Sequence, residues 1–464
     1  MLRTHTCGEL NKEHKDQPAI LCGWVHRRRD HGKLIFIDIR DRYGITQIVF
    51  VPSVSAPAHE KAQGLGPEFV IKVKGRVGLR PPKMINPNIP TGEVELAVSE
   101  LEILNPSQVP AFEIDDAVET SEEVRLTYRY LDLRRPKVAE ALMLRHRLCS
   151  VIRNFLNLEK FLEIETPILT KSTPEGARDF LVPSRFSPGN FFALPQSPQL
   201  FKQILMVSGI DRYFQIVKCF RDEDLRADRQ PEFTQLDMEM SFVEEEDIFS
   251  LTERLFKEIF REIKGIDIPI PFPRLAHKAA MEEYRSDKPD TRKSGEDFAF
   301  VWVVDFPLFK YNEQEKRWES EHHPFTSFHE EDMPYLDSKQ LKNVRSRSYD
   351  LVLNGHEIGS GSVRIHKREM QEKIFEIIGF TQEEAQKRFG FLLRAFEYGA
   401  PPHAGVAYGI DRLTALLAGF DSIRDTIAFP KTQRGNCLLT EAPSTVDERQ
   451  LMDLGIMTIS KGDE

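Results

Sequence analysis

Hydrophobic and polar residues alternate along five short segments near the start of the chain. The segments cover residues 20–28, 33–40, 45–51, 69–79 and 93–104, and turns with glycine and proline separate them. An alternation with a period of two places successive side chains on opposite faces of a strand. Five short strands of this kind predict a small closed barrel of the oligonucleotide-binding (OB) type.

The second predicted strand carries a candidate binding face. Ile35, Ile37 and Ile39 fall on one face and Phe36 on the other, beside the basic turn 26–33. An exposed aromatic side chain next to arginines can stack single-stranded bases and neutralise their phosphates. A core phenylalanine beside a solvated charged turn fits the same residues, so the pattern alone leaves both interpretations open.

The chain changes character after the barrel. Residues 106–136 are rich in proline and acidic residues, and they predict a linker between a first domain, 1–105, and a second domain, 137–464. In the second domain, apolar residues at i, i+3 and i+4 predict a helix over 137–160, followed by a strand over 161–167 that ends at a proline. The mixed elements indicate an α+β fold.

A charged hairpin is the most specific candidate site. An apolar strand leads into Arg221, Asp222 and Glu223, and a loop with Arg226 and Arg229 connects it to an acidic strand. A guanidinium group can bind an α-phosphate through two hydrogen bonds, and a cationic loop can close over the remaining phosphates. The triplet alone also fits a solvated turn, but the whole pattern indicates a nucleoside triphosphate site.

Composition narrows the class of protein. The 464 residues carry a net charge of −10, which argues against nonspecific coating of nucleic acid but permits a local basic groove. Five scattered cysteines without a CxxC pair indicate neither a disulfide framework nor a zinc knuckle. The sequence has no apolar run of membrane-spanning length and no signal-peptide core at its start. We therefore expect a soluble, cytoplasmic protein without a membrane partner.

Three motifs of the second domain resemble those of class II aminoacyl-tRNA synthetases. They are the helix and strand that end at Pro167, the hairpin 220–223, and the segment 405–413. Together with the preceding barrel, segments 173–180, 196–202 and 322–326 are similar to the bacterial-type aspartyl-tRNA synthetase family, in the subclass for Asp, Asn and Lys. The resemblance runs nearly end to end. It implies an anticodon-binding OB-fold, a catalytic domain with an antiparallel sheet flanked by helices, and a homodimer formed through the first motif.

The resemblance also implies a site for L-aspartate. The family positions that bind the amino acid correspond to Glu175, Gln199, Lys202, Arg221, Asp237, His322, His323 and Arg364. Among them, Arg364 and Lys202 are expected to hold the side-chain carboxylate. Glu175, Gln199 and Asp237 are expected to supply or support acceptors for the α-amino group. Buried cationic donors are what distinguishes a carboxylate from the isosteric amide of asparagine.

ATP and Mg²⁺ are the implied cofactors. The family's ATP positions correspond to Arg221, Asp222, Glu223, Gln230, Phe233, Glu357, Gly409, Ile410, Asp411 and Arg412. Arg221 is expected at the α-phosphate and Arg412 at the γ-phosphate, with Gln230 and Phe233 at the adenine. The metal positions correspond to Asp350 and Glu357, and carboxylate oxygens suit this hard ion. The implied chemistry forms aspartyl adenylate and transfers it to the 3′ hydroxyl of tRNA, mainly by positioning and electrostatics.

The barrel is expected to read the tRNA anticodon. The family positions correspond to Arg29, His31, Phe36, Gln47 and Lys83. Histidine at position 31 resembles members that charge tRNA(Asn) as well as tRNA(Asp), whereas Lys83 resembles members restricted to tRNA(Asp). We favour acceptance of both tRNAs, because His31 lies in the same basic turn as Arg29.

The sequence departs from the bacterial pattern at one place. Bacterial members carry an extra domain after the segment 286–290, but here an apolar strand starting at Phe300 follows almost at once, so the insertion is missing near residues 292–298. Arg285 also replaces a glycine that is common in the family. Three other functions stay open: an asparaginyl-tRNA synthetase, a tRNA-independent asparagine synthetase and a noncatalytic tRNA-binding paralogue. Arg364 with Lys202 favours the acid as substrate.

Overall fold

The computed structural model describes residues 1–173 and 177–458. The chain divides into two compact units, Met1–Glu140 and Ala141–Glu464. The strands are β1 (Pro18–Asp30), β2 (Ile35–Asp41), β3 (Gly44–Phe50), β4 (Val70–Leu79), β5 (Val94–Asn105), β6 (Leu162–Glu163), β7 (Leu181–Pro183), β8 (Phe191–Ala193), β9 (Arg212–Phe220), β10 (Glu232–Ser241), β11 (Arg274–Ala276), β12 (Phe300–Val304), β13 (Phe309–Asn312), β14 (Arg317–Ser320), β15 (Ser348–Leu353), β16 (His356–Val363) and β17 (His403–Gly409).

The α-helices vary in length from one turn to more than five. They are α1 (Ala56–Gln63), α2 (Glu122–Thr127), α3 (Arg129–Asp132), α4 (Pro136–Leu158), α5 (Gln199–Val207), α6 (Glu245–Lys264), α7 (His277–Tyr284), α8 (Met333–Asp337), α9 (Arg368–Ile377), α10 (Gln382–Phe396), α11 (Ile410–Ala418) and α12 (Glu448–Asp453). None of the helices in the described ranges combines the length and hydropathy that a membrane span requires.

The first unit contains the predicted barrel. Its strands close in the order β1-β2-β3-β5-β4, and the β3–β5 pair is parallel while the other pairs are antiparallel. The alternation also gives the correct inner face, since Ile35, Ile37 and Ile39 are buried in the barrel core. Phe36 is half-buried on the outer face and meets the ring of His31 edge to face, with the centroids 5.8 Å apart. The interpretation of Phe36 as a core residue is therefore wrong.

Part of the acidic segment after the barrel is folded, with helices α2 and α3. Glu68 on the barrel is buried and accepts two hydrogen bonds of 2.9 Å from Arg40 and one of 2.7 Å from Arg134. A buried carboxylate needs such partners, because ionised groups lose their hydration when they leave water. The end of the predicted linker is thus held against the barrel by charge pairing.

The second unit is built on an eight-stranded sheet with the order β11-β12-β15-β16-β17-β10-β9-β6. Only the pairs at the two edges, β11–β12 and β6–β9, are parallel. The apolar stripe predicted on α4 is present, and Leu148, Ile152 and Leu156 are fully buried in the core of this unit. Val151 and Phe155 of the same stripe are partly buried against this core, so most of the stripe packs within its own chain.

The strand predicted over 161–167 is shorter than expected. Only Leu162 and Glu163 pair with β9, in parallel at the edge of the sheet. Pro167 has no backbone N–H to donate to a ladder, so the pairing cannot extend through it. The link at the position of the expected insertion is also short, since α7 ends at Tyr284 and β12 begins at Phe300. Arg285, at the start of this link, adopts a left-handed φ of 55°.

Candidate active site

The polar face of β10 forms the floor of a cavity. Phe233, Gln235 and Asp237 share this face and line a space of about 490 Å³, and the apolar residues at even positions from Leu236 to Met240 point into the core. A cavity of this size suits a small-molecule ligand. Most of the residues assigned to aspartate or ATP line it: Gln199, Lys202, Arg221, Glu223, Gln230, Phe233, Asp237, His322, His323, Glu357, Arg364, Gly409, Asp411 and Arg412.

A few of the assigned residues are placed elsewhere. Asp222 is exposed and lies 3.8 Å from Arg178, because neighbours in an extended chain point to opposite sides and Arg221 takes the inward direction. Ile410 begins α11 and is fully buried in the hydrophobic core. Asp350 is buried on β15 and is not among the residues that line the cavity, and Glu175 falls outside the described residues.

Four buried charges occupy one end of the cavity. Lys202 Nζ donates to Asp237 Oδ1 at 2.7 Å and lies 3.3 Å from Glu239 Oε2. Arg364 binds Glu239 through two hydrogen bonds of 2.9 and 3.1 Å. The side chains of all four are at most 2% exposed. The two cations and two carboxylates balance one another, which is the condition for keeping charges in a dry interior.

Glu239 is a site residue that the sequence analysis missed. It lies directly opposite Gly405 on β17, and a Cβ atom at position 405 would come within 1.8 Å of Glu239 Oε2. The backbone oxygen of Met238 would lie 2.3 Å from the same Cβ, so the carboxylate and the neighbouring strand together require glycine at position 405. The alternation on β10 could have revealed it, because Glu239 lies two residues after Asp237 and so shares its face.

The cluster controls protonation nearby. Burial would raise the pKa of Glu239, but Arg364 and Lys202 outweigh that effect and lower it, so this carboxylate is ionised. Burial and the adjacent Arg364 hold the pKa of His323 well below its usual range, and Arg364 Nη1 lies 2.7 Å from His323 Nε2. His323 is therefore neutral, with Nε2 as an acceptor.

Two buried polar atoms in and beside this cluster remain available to a ligand. Asp237 Oδ2 and Gln199 Nε2 are buried and have no hydrogen-bond partner within residues 1–173 and 177–458. Leaving such groups unsatisfied costs about 1–3 kcal/mol each. An acceptor and a donor beside Lys202 and Arg364 are suited to the ammonium and carboxylate groups of an amino acid.

The other end of the cavity carries arginines and an aromatic ring. The Arg221 guanidinium lies 5.1 Å from the centroid of Phe233, and Arg412 lies 3.3 Å from Asp228 and also donates to the carbonyl of Glu357. These groups form a cationic end next to an aromatic face, as a nucleotide with its phosphates requires.

The side-chain amide of Gln230 holds two segments of the cavity wall together. It accepts from the backbone N–H of Lys431 at 2.8 Å and donates to the carbonyl of the same residue at 3.0 Å. Because both ends of the amide are committed, Gln230 fixes the wall beside Phe233. Asp411 is likewise held: Oδ2 accepts from the backbone N–H of Thr234 at 2.7 Å, and Oδ1 accepts from Arg145 on α4. The walls of the cavity are thereby tied to two parts of the chain that are distant in sequence, through Lys431 and Arg145.

Two carboxylates on adjacent strands form a candidate metal site. Asp350 on β15 is buried, and its Oδ1 accepts no hydrogen bond within the described ranges and lies 3.5 Å from His322 Nε2. Burial and the nearby carboxylate of Glu357 raise the pKa of Asp350. Burial opposes protonation of His322, but Asp350 outweighs it and raises the pKa of His322. A cation bound between the carboxylates of Asp350 and Glu357 would relieve the repulsion between their negative charges.

Within the part of the chain that the structure describes, no three His, Cys, Asp or Glu side chains cluster as a complete metal site. Mg²⁺ does not need one, because it is commonly held by one or two carboxylates together with substrate phosphates and water. Asp350 and Glu357 therefore fit a magnesium ion that arrives with a nucleotide, and they do not fit a structural metal.

The residues that the sequence analysis assigned to the anticodon form a separate group on the barrel. Arg29 Nη2 donates to Asp38 at 2.8 Å and to Gln47 at 3.1 Å, and Gln47 in turn donates to Glu95 at 2.7 Å. Together with His31 and Phe36, which touch each other, they form one polar and aromatic surface. Lys83 lies exposed in the segment between β4 and β5. The sequence did not reveal Asp38 and Glu95 as part of this surface. They orient Arg29 and Gln47 through these hydrogen bonds.

Comparison with known proteins assigns a protein family to each of the two units. The family of class II tRNA synthetases for D, K and N matches residues 121–433, and the OB-fold nucleic acid binding domain matches residues 19–104. The chain is similar to the aspartate–tRNA(Asp/Asn) ligase of Dictyoglomus turgidum, with 47% identity over 584 residues, covering 99% of this chain and 98% of the relative. It is also similar to the ligase of the same name from Oleidesulfovibrio alaskensis, with 47% identity over 579 residues and coverage of 98% and 95%.

The first of these alignments also measures the missing domain. It spans 584 positions, whereas this chain has 464 residues, so at least 120 positions of the relative, the difference between the two lengths, have no counterpart here. The chain lacks the large insertion, as the sequence analysis predicted.

Solved structures share the fold. The asparaginyl-tRNA synthetase of Pyrococcus horikoshii, complexed with asparaginyl-adenylate, superimposes with a TM-score of 0.77 at 24% identity and covers 93% of this chain and 99% of its own. The aspartyl-tRNA synthetase of Entamoeba histolytica superimposes with a TM-score of 0.72 at 23% identity, covering 91% and 90%. The predicted combination of an OB-fold barrel with a class II catalytic domain is confirmed. The chain belongs to the class II tRNA synthetases of the D, K and N group.

Proposed function

We propose that this protein activates L-aspartate with ATP and transfers the aspartyl group to tRNA. The observation that carries the proposal is the buried cluster of Lys202 and Arg364, compensated by Asp237 and Glu239. A substrate carboxylate can accept hydrogen bonds from these cations. The amide of asparagine would present N–H donors to donors, which is a repulsive arrangement. The unpartnered Asp237 Oδ2 then receives the substrate ammonium group.

Adenylate formation follows from this placement. The α-carboxylate of aspartate attacks the α-phosphate of ATP in line, the bond from the α-phosphate to the bridging oxygen breaks, and pyrophosphate leaves. Arg221, beside Phe233, stabilises the charge on the α-phosphate, and Arg412 binds the departing phosphates. A magnesium ion held by Asp350 and Glu357 would neutralise phosphate charge. The attacking carboxylate is already ionised, so no side chain has to remove a proton from it.

The second step uses the same positioning. The 3′ hydroxyl of the terminal tRNA ribose attacks the activated carbonyl, and AMP leaves as the new ester forms. The neutral His323 and the buried Arg364 keep the aspartyl side chain in place during this exchange. Catalysis then comes from holding the reacting groups at short range rather than from a strong base.

We further propose that both tRNA(Asp) and tRNA(Asn) are accepted. The two relatives named above carry the name aspartate–tRNA(Asp/Asn) ligase. His31 is exposed beside Phe36 on the barrel, where an anticodon base can reach it. Discrimination at one base is worth only about 1–3 kcal/mol, so this single side chain is sufficient to set it.

A homodimer is the third part of the proposal. Several large apolar side chains are exposed from the last residue of α4 onward, including Leu158 at 84%, Leu162 at 53% and Leu169 at 51%. The hairpin of β7 and β8 adds Phe191 and Phe192, both exposed by 40% or more. Thr170 pairs with Ala193, which brings Leu169 close to this hairpin, and neighbouring exposed apolar residues are typical of a surface that a partner covers. The buried stripe of α4 is not part of this surface.

Pyrophosphate exchange with each amino acid tests the catalytic proposal. We expect aspartate-dependent exchange and no exchange with asparagine, followed by charging of both purified tRNAs. Exchange with asparagine would identify an asparaginyl-tRNA synthetase, and ammonia-dependent asparagine formation would identify an asparagine synthetase. No ATP turnover in folded protein would leave only a tRNA-binding role and would overturn the proposal.

A further inference from the structure

Lys288 is a cation in the active-site cavity that no role above explains. It lies between α7 and β12, and its side chain lines the same cavity as Arg221 and Arg412. Lys288 Nζ lies 2.9 Å from Glu357 Oε2, and its side chain is 39% exposed. The ammonium group is therefore bound at one carboxylate but is not locked in a dry interior, so it is able to change partner.

The partner of Lys288 is the carboxylate that the proposed function assigns to magnesium. A cation that binds Glu357 competes for the oxygen that Lys288 occupies, since both neutralise the same charge. Arg412, at the phosphate end, donates to the backbone carbonyl of this same Glu357. If a magnesium ion took that oxygen, the ammonium group would lose its carboxylate partner and would be free to turn toward the phosphates of a nucleotide in the same cavity.

The backbone around Lys288 is fixed, so only the side chain has to move. Its N–H donates to Ser286 Oγ at 3.0 Å, and Pro289 follows it. Asp290 is bound by the guanidinium of Arg292 through hydrogen bonds of 3.0 and 2.6 Å. A lysine on a rigid segment, with a flexible four-carbon stem, is a common way to present a point charge to phosphate.

We propose that Lys288 is a further ATP-binding residue. It neutralises Glu357 in the absence of nucleotide and contacts the β- and γ-phosphates when ATP is bound. This inference rests on the proposed function of the same cavity.

The test compares ATP with AMP, because AMP lacks the two phosphates that Lys288 is inferred to contact. Dissociation constants are measured by calorimetry with Mg²⁺ and without aspartate, so that no reaction occurs. We expect Lys288→Gln to weaken ATP binding by about tenfold or more, the value of one lost charge-assisted hydrogen bond, and to leave AMP binding unchanged. Lys288→Arg should restore part of the ATP affinity.

Lys293→Gln is the matched control, since Lys293 is an exposed lysine in the same link. It should change neither dissociation constant, and thermal unfolding should show that both Gln variants are folded. Equal losses for ATP and AMP, or no loss for ATP, in the folded Lys288→Gln protein would overturn the inference. Failure of the unmodified protein to bind ATP would instead contradict the proposed function, so the two failures are distinguishable.

Discussion

At the scale of single residues, the proposed function assigns to Arg364 the choice of amino acid. We expect Arg364→Leu to reduce aspartate-dependent pyrophosphate exchange by more than about a hundredfold, because losing one partner of a buried charge pair costs about 3–5 kcal/mol. Glu239 would also lose its two hydrogen bonds, so the protein should be less stable. Retained ATP binding is the control for folding, since Arg364 lies at the amino acid end. Near-parental exchange with aspartate would refute the assignment.

Arg285 offers a test of backbone strain. It is exposed and has a φ of 55°, a left-handed conformation in which a side chain costs about 1 kcal/mol. Arg285→Gly removes that cost but adds freedom to the unfolded chain, so we expect a gain of about 0.5 kcal/mol. The thermal midpoint of unfolding measures it. A lower midpoint would show that the arginine makes a stabilising contact that outweighs the strain.

At the scale of elements, we expect the outer face of the barrel to determine which tRNA is charged. His31→Leu should reduce charging of tRNA(Asn) by about tenfold and leave tRNA(Asp) nearly unchanged, since one base distinction is worth about 1–3 kcal/mol. Initial charging rates with both tRNAs give the ratio. Lys83→Ala is measured in the same assay, because Lys83 is the other residue that the sequence analysis linked to the choice between the two tRNAs. If the unmodified protein already rejects tRNA(Asn) by a hundredfold, the proposal of dual specificity is wrong.

Sequence patterns were reliable within elements and weaker between them. The alternation gave the five barrel strands and the inner face of β2, because each strand sorts its own side chains by polarity. The interaction of Glu239 with Arg364 joins positions 125 residues apart and depends on strand register, which no local pattern reveals. Lys288 had no local signal either, since its partner Glu357 lies on a strand that follows the missing domain. The motif resemblance supplied most lining residues, but it could not show that Asp222 points away.

At the scale of the whole molecule, we expect two chains per particle. Light scattering at micromolar concentration should give twice the mass of one chain. Leu162→Asp should shift the equilibrium toward the monomer, because it places a charge among exposed apolar residues that the proposed interface would bury. Leu79→Asp, at an exposed leucine on the barrel, is the control. A monomeric mass for the unmodified protein would contradict the homodimer.

The missing insertion should leave adenylate formation intact. None of the residues assigned to aspartate or ATP lies between Asp290 and Val301, and shortening a loop changes closure entropy only slightly. We expect aspartate-dependent pyrophosphate exchange within about tenfold of the rate of the insertion-bearing D. turgidum relative, measured side by side. Charging of tRNA is measured separately, because the insertion could contribute to that step alone. Absent exchange in folded protein would show that the insertion is needed for the chemistry.

The turn between β15 and β16 has a consequence for engineering. Asn354 pairs with Ala299 through hydrogen bonds of 2.9 and 3.2 Å and donates to the carbonyl of Asp297 at 2.8 Å, while Asp290 packs against Gly355. The end of the shortened link is thus hydrogen-bonded to this two-residue turn, and its start lies beside the same turn. A fluorescent or affinity module inserted into the link would therefore leave and re-enter the chain beside the same turn. The link is therefore a suitable insertion point for such a module in this enzyme.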